Sequence, residues 1–245
     1  MITVSIVSHG HASWIEPLLQ DLAACPEISR VILTVNIPDR TIPVPEELKD
    51  KMVRLCNTVP QGFGANHNAA FRECQTPYFC ILNPDMRLLG NPFEGLLQGL
   101  DDRDVALAAP FSMDQEGRIQ DSVRYFPRPC SLMMKAINGQ EGRYQADRTQ
   151  VRFPVEWVSG MFMLIRSLDF SRIGGFDERY YLYYEDVDLC VRLWKARRQV
   201  LACSDVKVVH EAQRASHHDW THFRWHVKSL ARYLLKYLFR LPRIY

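Results

Sequence analysis

The sequence predicts an α/β fold with a mostly parallel central sheet, flanking helices and a C-terminal helical segment. Three observations carry this prediction. Short β-branched and apolar runs recur through the first half of the chain, as they do in buried parallel strands. Segments with apolar residues at helical spacing separate these runs. Apolar residues make up 47% of the 245 residues, so the chain can bury one sizeable core.

The elements follow in order along the chain. In the first half, four apolar runs predict strands, a helix follows the first strand, and a glycine-bearing loop leads into a second helix. The second half is less regular and contains further strands, a polar region of loops and a helix from about Glu185. The predicted strands are 2–8, 30–36, 51–57, 78–82, 104–111, 155–167 and 206–210, and the predicted helices include 12–24 and 218–241. We expect one domain over 1–216 and a basic amphipathic helical segment over 217–245.

Composition narrows the classes of protein that this chain can represent. The net charge of +2 requires no nucleic acid partner, and we expect none. The seven cysteines contain no CxxC pair, which argues against a zinc cluster or a disulfide framework and favours a reduced, cytoplasmic setting. The chain opens with a predicted strand rather than a signal peptide, and no stretch reaches the roughly 18 apolar residues of a membrane span.

A glycine-bearing loop, "GFGANHN", follows the third predicted strand. His67 stands where a dinucleotide fingerprint needs its third glycine, so a dinucleotide-binding dehydrogenase is disfavoured. Gly62 and Gly64 still allow close backbone approach to a ligand. Asn66 and Asn68 offer amide groups near a helix N-terminus, where phosphate binds well. The alternative is an ordinary strand–helix turn with a capping asparagine.

The fourth predicted strand ends at Asn83-Pro84-Asp85, because proline cannot continue a central strand. This tripeptide is ordinary turn chemistry. A Mg²⁺ or Mn²⁺ ion that already carries diphosphate oxygens, however, needs only one or two protein carboxylates, and Asp85 lies at the carboxyl edge of the sheet. His210 ends the last predicted strand and could reach that edge, although a lone histidine is more often structural.

Three acids, Glu185, Asp186 and Asp188, lie at the start of a predicted helix. Carboxylates are stabilised there by the helix dipole, which is the simple explanation for their position. An aromatic segment that includes Phe176 and four tyrosines precedes them. A carboxylate held among aromatic side chains can serve as a general base.

The order of these motifs resembles the family 2 glycosyltransferases of the GT-A fold, and among them the bacterial rhamnosyltransferases and related enzymes of cell-surface polysaccharide synthesis. The series is a polar turn after the first strand, GFGxxxN, NPD, WVSG, GGFDE followed by EDxDLxxR, and a late histidine. The resemblance covers about residues 2–216, and 174–192 is its most specific part.

The resemblance implies inverting transfer of a sugar from a nucleotide-diphosphate donor, such as dTDP-rhamnose or a UDP-sugar, to a hydroxyl of a glycan or lipid-linked glycan. Such a reaction needs a divalent cation, Mn²⁺ or Mg²⁺, at the leaving diphosphate and a base at the acceptor. By resemblance, Asp85 and His210 hold the metal, and Asn83 replaces the first acid of the family's DxD-type motif. Asp186 is the implied catalytic base, and Glu185 is the second candidate.

The resemblance also implies a donor-binding set. Asn36 stands where the family commonly has an acid that contacts the base or ribose, and Asp39 follows three residues later, so the sequence does not distinguish uridine from thymidine. Arg124 could approach a phosphate or remain solvated. The implied nucleotide and diphosphate residues are Ser8, His9, Gly62, Phe63, Asn66 and Asn68, and those on the sugar and acceptor side are Trp157, Ser159 and Gly160.

The C-terminal segment repeats a basic residue at every fourth position. Each step advances about 40° around a helix, so the five bases cover one broad face beside tryptophan and leucine positions. A basic amphipathic helix over 222–241 would lie on the inner face of an anionic membrane and suit an acceptor linked to polyprenyl diphosphate. Packing on the catalytic domain with snorkelling side chains, or a homodimer contact, are the alternatives. The bases are Arg224, Lys228, Arg232, Lys236 and Arg240.

Two other functions compete with glycosyl transfer. A nucleotidyltransferase would carry a glycine-rich loop with Arg or Lys after the first strand, and the sequence there is "SHGHASW". A nucleotide-sugar-binding subunit with little or no catalysis is compatible with Asn83. Retention of Glu185, Asp186, Asp188 and His210 argues against it.

Overall fold

A computed structural model describes residues 1–120, 122–138, 151–211, 220–238 and 240–244. Strands and helices alternate through it, and a 3₁₀ segment lies at Glu46–Lys51. The strands are β1 Ile2–His9, β2 Ile28–Ile37, β3 Met52–Cys56, β4 Tyr78–Leu82, β5 Met86–Leu88, β6 Val105–Met113, β7 Val123–Arg124, β8 Arg152–Pro154, β9 Trp157–Val158, β10 Phe162–Arg166 and β11 Gln199–His210. The helices are α1 Ala12–Ala23, α2 Phe63–Phe71, α3 Phe93–Gly99, α4 Pro129–Asn138, α5 Ser167–Arg172, α6 Glu185–Lys195 and α7 Trp220–Tyr237.

The central sheet has the order β3-β2-β1-β4-β10-β6-β11-β5, and β8 pairs with β11. Strands β3, β2, β1 and β4 are parallel, as the alternating pattern predicts. Strand β10 runs antiparallel to both β4 and β6, and β5 and β8 run antiparallel to β11. The predicted α/β class is confirmed, and the sheet is parallel in its first half and mixed in its second.

Helices cover both faces of the sheet. Helices α1 and α3 contribute to a core on one face, whereas α2, α5, α6 and α7 contribute to a core on the other. Because both faces are covered, the central strands are buried along their length, polar residues included. Residues Ile2 to Ser8 of β1, for example, are buried without interruption. The carboxyl ends of β1, β2 and β4 therefore meet at one edge, where ligands bind in open α/β sheets.

Two predicted strands differ from the observed ones. The predicted strand 155–167 is divided into β9 and β10, because the chain turns at 159–161 between them. The last strand begins at Gln199 instead of residue 206 and runs through to His210, with an irregular register between Cys203 and Lys207. Its length lets one strand pair with β6, β5 and β8.

Helix α7 packs against the sheet domain through one of its faces. Two side chains of this face, Tyr233 and Tyr237, are buried in the core of the sheet domain. The carboxylate of Asp188, which is fully buried, accepts hydrogen bonds from Lys236 Nζ at 2.5 Å and from the Tyr237 hydroxyl at 2.7 Å. The predicted boundary at 216 lies outside the described residues. Among the helices that the structure describes, none is both long and apolar enough to cross a bilayer.

Candidate functional site

A network of side-chain amides lies at the carboxyl ends of β1, β2 and β3. Asn36 is buried at the end of β2, and its Nδ2 lies 3.2 Å from Nδ1 of His9 and donates to the Gln61 carbonyl at 3.0 Å. Asn57 Nδ2 donates to the Oδ1 atoms of Asn36 and Asn66, at 2.6 and 2.7 Å. The network joins three strand ends to the loop before α2. It brings predicted residues Asn36, Asn66 and His9 together, with the exposed His9 ring at the rim.

The turn after β1 is held by hydrogen bonds near that rim. The buried Ser8 Oγ accepts from the His11 backbone N–H at 3.2 Å. Asp39 Oδ2 accepts from the Ala12 N–H at 2.7 Å, at the first residue of α1. A carboxylate at a helix N-terminus is favoured by the helix dipole. Ser8 and Asp39 thus shape the turn that carries His9 and His11.

The glycines of "GFG" make room for a protein loop. A Cβ on Gly62 would lie 2.6 Å from the Tyr181 carbonyl oxygen, and one on Gly64 would lie 2.7 Å from Cβ of Phe176. Phe63 N–H donates to the same Tyr181 carbonyl at 2.9 Å. The space beside these glycines is filled by residues 176–181, and their predicted contact with a ligand stays a prediction.

Asn68 belongs to the same loop attachment. Its Nδ2 donates to the Phe176 carbonyl and to Glu178 Oε1, both at 2.9 Å, and its Oδ1 accepts from the Phe176 N–H at 2.9 Å. Both amide hydrogens are used, and a Cβ on Gly175 would meet the Asn68 oxygen at 2.4 Å. Asn68 therefore holds the loop, and its place in the nucleotide-binding set stays a prediction.

The Asn83-Pro84-Asp85 turn brings a carboxylate to a histidine. Asp85 Oδ2 lies 3.2 Å from Nε2 of His210, as predicted for two strand ends at one edge. Gln120 bridges the histidine, because its Nε2 donates to the His210 carbonyl at 3.3 Å and its Oε1 lies 2.7 Å from His210 Nδ1. That arrangement puts the Nδ1 proton toward Gln120. The other ring nitrogen, Nε2, faces Asp85.

This pair fits a divalent cation. Two acceptor atoms at 3.2 Å need a proton or a cation between them, and adjacent ligands of an octahedral ion at about 2.1 Å are about 3.0 Å apart. The second oxygen of Asp85, Oδ1, is buried without a hydrogen-bond partner among the described residues. Nowhere in the described ranges do three His, Cys, Asp or Glu side chains cluster as a complete metal site. The remaining ligands would have to come from a diphosphate and water.

Two acids with different surroundings start α6. Asp186 is only partly buried and accepts from the Gly160 N–H at 3.0 Å and from its neighbour Val187 at 2.8 Å. Burial raises the pKa of Asp186, and these N–H donors oppose the rise. Burial and the charge of Asp186 raise the pKa of Glu185 well above its usual range, and the buried Glu185 Oε2 has no hydrogen-bond partner within the described parts of the chain. Of the two acids, Glu185 has the more strongly raised pKa, because its carboxyl lacks the N–H donors that Asp186 has.

The segment 157–161 connects the two halves of the site. Gly160 N–H holds Asp186, and the Met161 carbonyl accepts from the Asn83 N–H at 2.8 Å. The two carboxylates that were predicted to serve metal and acceptor thus lie along one edge. The Oγ of Ser159 is buried and has no hydrogen-bond partner in the described chain, so a donor or acceptor hydroxyl could bind it.

A two-stranded ribbon of β7 and β9 borders these acids. Arg124 pairs in register with Trp157, and its guanidinium carbon lies 5.8 Å from that ring's centroid. The positive charge of Arg124 also lowers the pKa of Asp186, which places it near the site instead of in free solvent. Trp157 Nε1 donates to the Tyr125 carbonyl at 2.9 Å, so its indole packs inward.

Sequence reasoning missed several supporting residues. Gln120 lies 90 positions from His210, and no local pattern indicates that they meet. Glu156 is buried beside Trp157, where it accepts from both terminal nitrogens of Arg128 and from the Phe126 N–H. Only an isolated acid inside an apolar strand pattern could have drawn attention to it.

The residues just before the acids have strained backbones and contact α7. Tyr183 and Tyr184 have φ angles of +71° and +68°, a region that side-chain-bearing residues rarely adopt. The Tyr183 hydroxyl lies 3.1 Å from Nδ1 of His222, and both tyrosine rings lie 5.4 Å from the His226 ring. The start of α7 therefore helps hold the segment that leads into Glu185.

Comparison with known proteins gives a consistent result. A family model described as "Glycosyltransferase like family 2" matches residues 2–245. The rhamnosyltransferase WbbL of Escherichia coli K12 is 30% identical over 262 residues, covering 96% of this chain and 93% of that protein. An N-acetylglucosaminyl-diphospho-decaprenol L-rhamnosyltransferase of Mycobacterium tuberculosis is 31% identical over 159 residues, covering 61% of this chain and 52% of that protein.

Solved structures agree on the fold. The structure of GalNAc-T7 with UDP, GalNAc and Mn²⁺ has a TM-score of 0.69 at 12% identity, covering 97% of this chain and 48% of that chain. The mannosyltransferase PcManGT of Pyrobaculum calidifontis with GDP-Man and Mn²⁺ has a TM-score of 0.63 at 14% identity, covering 97% of this chain and 64% of that one. At these identities the likeness establishes the GT-A fold alone.

Proposed function

The chain belongs to glycosyltransferase family 2 and is a glycosyltransferase, and from that premise we propose that it transfers rhamnose from dTDP-rhamnose to a hydroxyl of a lipid-linked glycan, with inversion. The observation that carries the proposal is the edge shared by the Asp85–His210 pair and Asp186. The two rhamnosyltransferases described above support the sugar, and the decaprenol-linked acceptor in the mycobacterial name supports the acceptor class.

Each part of the site has a role in this reaction. The acceptor oxygen forms a bond to the anomeric carbon as the bond to the donor phosphate breaks, and the diphosphate leaves with that electron pair. Asp186 takes the acceptor's proton. Glu185 stays protonated in this proposal and so adds no second negative charge beside Asp186. Asp85 and His210 would hold a divalent cation, which when bound neutralises charge on the leaving diphosphate. Attack opposite the leaving group inverts the anomeric centre.

The nucleotide would lie against the amide network. Asn36 and Asn66 hold this edge in place from below, and His9 is exposed at its rim. Ser159 and Gly160 lie beside Asp186, because the Gly160 N–H donates to its carboxylate, and this position suits the sugar. Phe63 packs against His67 and Phe176, so its role is to support Gly160.

The base assignment is tested with Asp186→Asn. We expect kcat for transfer to fall by about 10² to 10⁴ with little change in donor affinity, because general base catalysis contributes about that factor. Asp205→Asn is the control, since Asp205 pairs with Arg152 elsewhere on the surface. Near wild-type turnover in Asp186→Asn would remove Asp186 as the base. Donor binding without transfer to any acceptor by the wild-type protein would favour the binding-subunit alternative.

The acceptor class implies work at the cytoplasmic face of a membrane, and the outward side of α7 supports it. Leu235 is 83% exposed and Trp220 is 71% exposed, and further apolar side chains lie exposed along the same helix. Of the tryptophan and leucine positions that the sequence placed beside the basic face, Leu238 is exposed, whereas the Trp225 ring lies 4.7 Å from the Tyr181 ring and Leu234 packs on the core. We name the outward set, Trp220, Phe223, Val227, Leu235 and Leu238, the apolar stripe.

The membrane proposal is tested by point substitution, because removing α7 would leave Asp188 buried without two of its partners. We expect Phe223→Ser with Leu235→Ser to weaken co-sedimentation with phosphatidylglycerol vesicles about tenfold or more, since burying each apolar side chain contributes about 1–3 kcal/mol. Leu168→Ser, at an exposed leucine of α5, is the control. Unchanged vesicle binding, or a dimer disrupted by the same pair, would contradict the membrane assignment.

A further inference from the structure

A basic groove of about 510 Å³ lies between α7 and the loop that carries Arg179. Three of its basic side chains come from successive turns of α7, so they share one side of the helix. Two small or apolar side chains of the same helix form the rest of the α7 wall. The lining residues are Arg179, Lys228, Ala231, Arg232, Leu235 and Lys236.

The groove carries uncompensated positive charge. Asp177 pairs with Arg179 at 2.6 Å and with Lys236 at 2.7 Å, so two of the four bases have a carboxylate partner. Neither Lys228 nor Arg232 pairs with an acid in the described part of the chain. Two positive charges in a concave site favour an anion with at least two oxygens.

Arg232 supplies a second indication of a ligand. Its Nε is buried and has no hydrogen-bond partner among the residues that the structure describes. Its guanidinium carbon lies 6.0 Å from the Tyr180 ring, which limits the orientations that this group can take. The guanidinium of Arg232, a residue that lines the groove, suits bidentate binding of a phosphate.

We propose that this groove binds the phosphate of an anionic phospholipid at the membrane surface. The proposal rests on the proposed function, because it names the partner of the membrane-facing side of α7. Leu235 belongs both to the groove and to the apolar stripe, so a phosphate bound by Lys228 and Arg232 would have its acyl chains beside exposed apolar side chains. A soluble phosphate would leave that stripe in water.

The test compares two pairs of substitutions with equal loss of charge. Lys228→Gln with Arg232→Gln alters the groove, whereas Arg224→Gln with Arg240→Gln removes two other bases of the C-terminal segment. Binding to phosphatidylcholine vesicles with and without phosphatidylglycerol is measured in about 0.5 M NaCl, where the Debye length is below about 5 Å and diffuse attraction is screened. We expect the groove pair to bind the anionic vesicles about tenfold more weakly than wild type, and the other pair to bind within about twofold.

Three results would overturn the proposal. Equal losses in the two pairs would leave only diffuse attraction. If the wild-type protein showed no preference for phosphatidylglycerol, an anionic phospholipid would be excluded as the ligand of the groove. Groove-dependent binding only to phosphatidylcholine vesicles that carry polyprenyl diphosphate would assign the groove to the acceptor instead. If Arg232→Gln lowers the melting temperature, Lys228→Gln alone, at an exposed position, carries the comparison. Absence of sugar transfer by the wild-type protein would refute the proposed function without changing this vesicle result.

Discussion

The burial of the His67 ring predicts how the stability of this protein depends on pH. It lies on α2 beneath Phe63 and is 1% exposed. Its Nδ1 lies 2.8 Å from the Ser5 hydroxyl, and its Nε2 is buried without a hydrogen-bond partner within the described residues. A protonated ring would need acceptors at both nitrogens. Burial therefore lowers the pKa of His67 from 6.5 to about 3 in the folded protein.

The magnitude follows from the two pKa values. Between pH 6.5 and about pH 3, His67 binds a proton in the unfolded chain but not in the folded protein. Acid therefore favours unfolding. The stability that His67 retains at pH 7.5 is lost at about 1.4 kcal/mol per pH unit through this window. At pH 5.0 the loss from this one group is about 2 kcal/mol, equivalent to about 4–8 °C in melting temperature for a chain of this size.

The assay is urea unfolding of wild type and His67→Gln at pH 7.5 and pH 5.0. Glutamine can keep a hydrogen bond to Ser5 and does not titrate. We expect the free energy of unfolding to fall by about 2 kcal/mol less in the variant than in wild type between these pH values. Any constant cost of the substitution cancels in this difference. Equal pH dependence in the two proteins would refute a neutral, buried His67.

Two further predictions concern partners that only the folded chain brings together. Gln120→Leu should lower Mn²⁺ affinity about 10–100-fold in the presence of dTDP, because His210 loses the hydrogen bond that orients its ring. Calorimetry measures this affinity, and an unaltered value would show that the His210 ring needs no such support. Tyr237→Phe should lower the free energy of unfolding by about 1.5–3 kcal/mol, because the fully buried Asp188 loses a hydrogen bond to its charged form. A loss below about 0.5 kcal/mol in urea unfolding would contradict that contact.

Much of the fold was predictable because its signals are local. The buried strands 2–8 and 78–82 are runs of mainly β-branched and apolar residues, and Pro84 must end the second of them. The acids of α6 stand at a helix start that their own pattern indicates. The resemblance to family 2 glycosyltransferases, which rests on the order of such motifs, is confirmed by the match over residues 2–245. The antiparallel course of β10 was not predictable, since strand direction depends on partners far along the chain.

The candidate site shows the same division. Its sequence motifs predicted Asp85, Asp186 and His210, because each lies at or just beyond a strand end or at a helix start. They could not show that Asn68 uses both amide hydrogens on a loop over a hundred residues away, or that Gly62 faces Tyr181. A residue type states which bonds a side chain can make, whereas its partner depends on chain packing.

The C-terminal helix shows most clearly what the sequence determined and what the tertiary structure determined. The sequence by itself established that the segment is helical, basic and amphipathic, because charge and hydrophobicity recur at helical spacing. Apolar residues occur on more than one side of this helix, so periodicity could not identify the side that packs. Only the tertiary structure decided it: Asp188 holds Lys236 and Tyr237 inward, which turns Leu235 and the rest of the apolar stripe to solvent. The physical reason is that a buried carboxylate must have partners, and α7 supplies two of them.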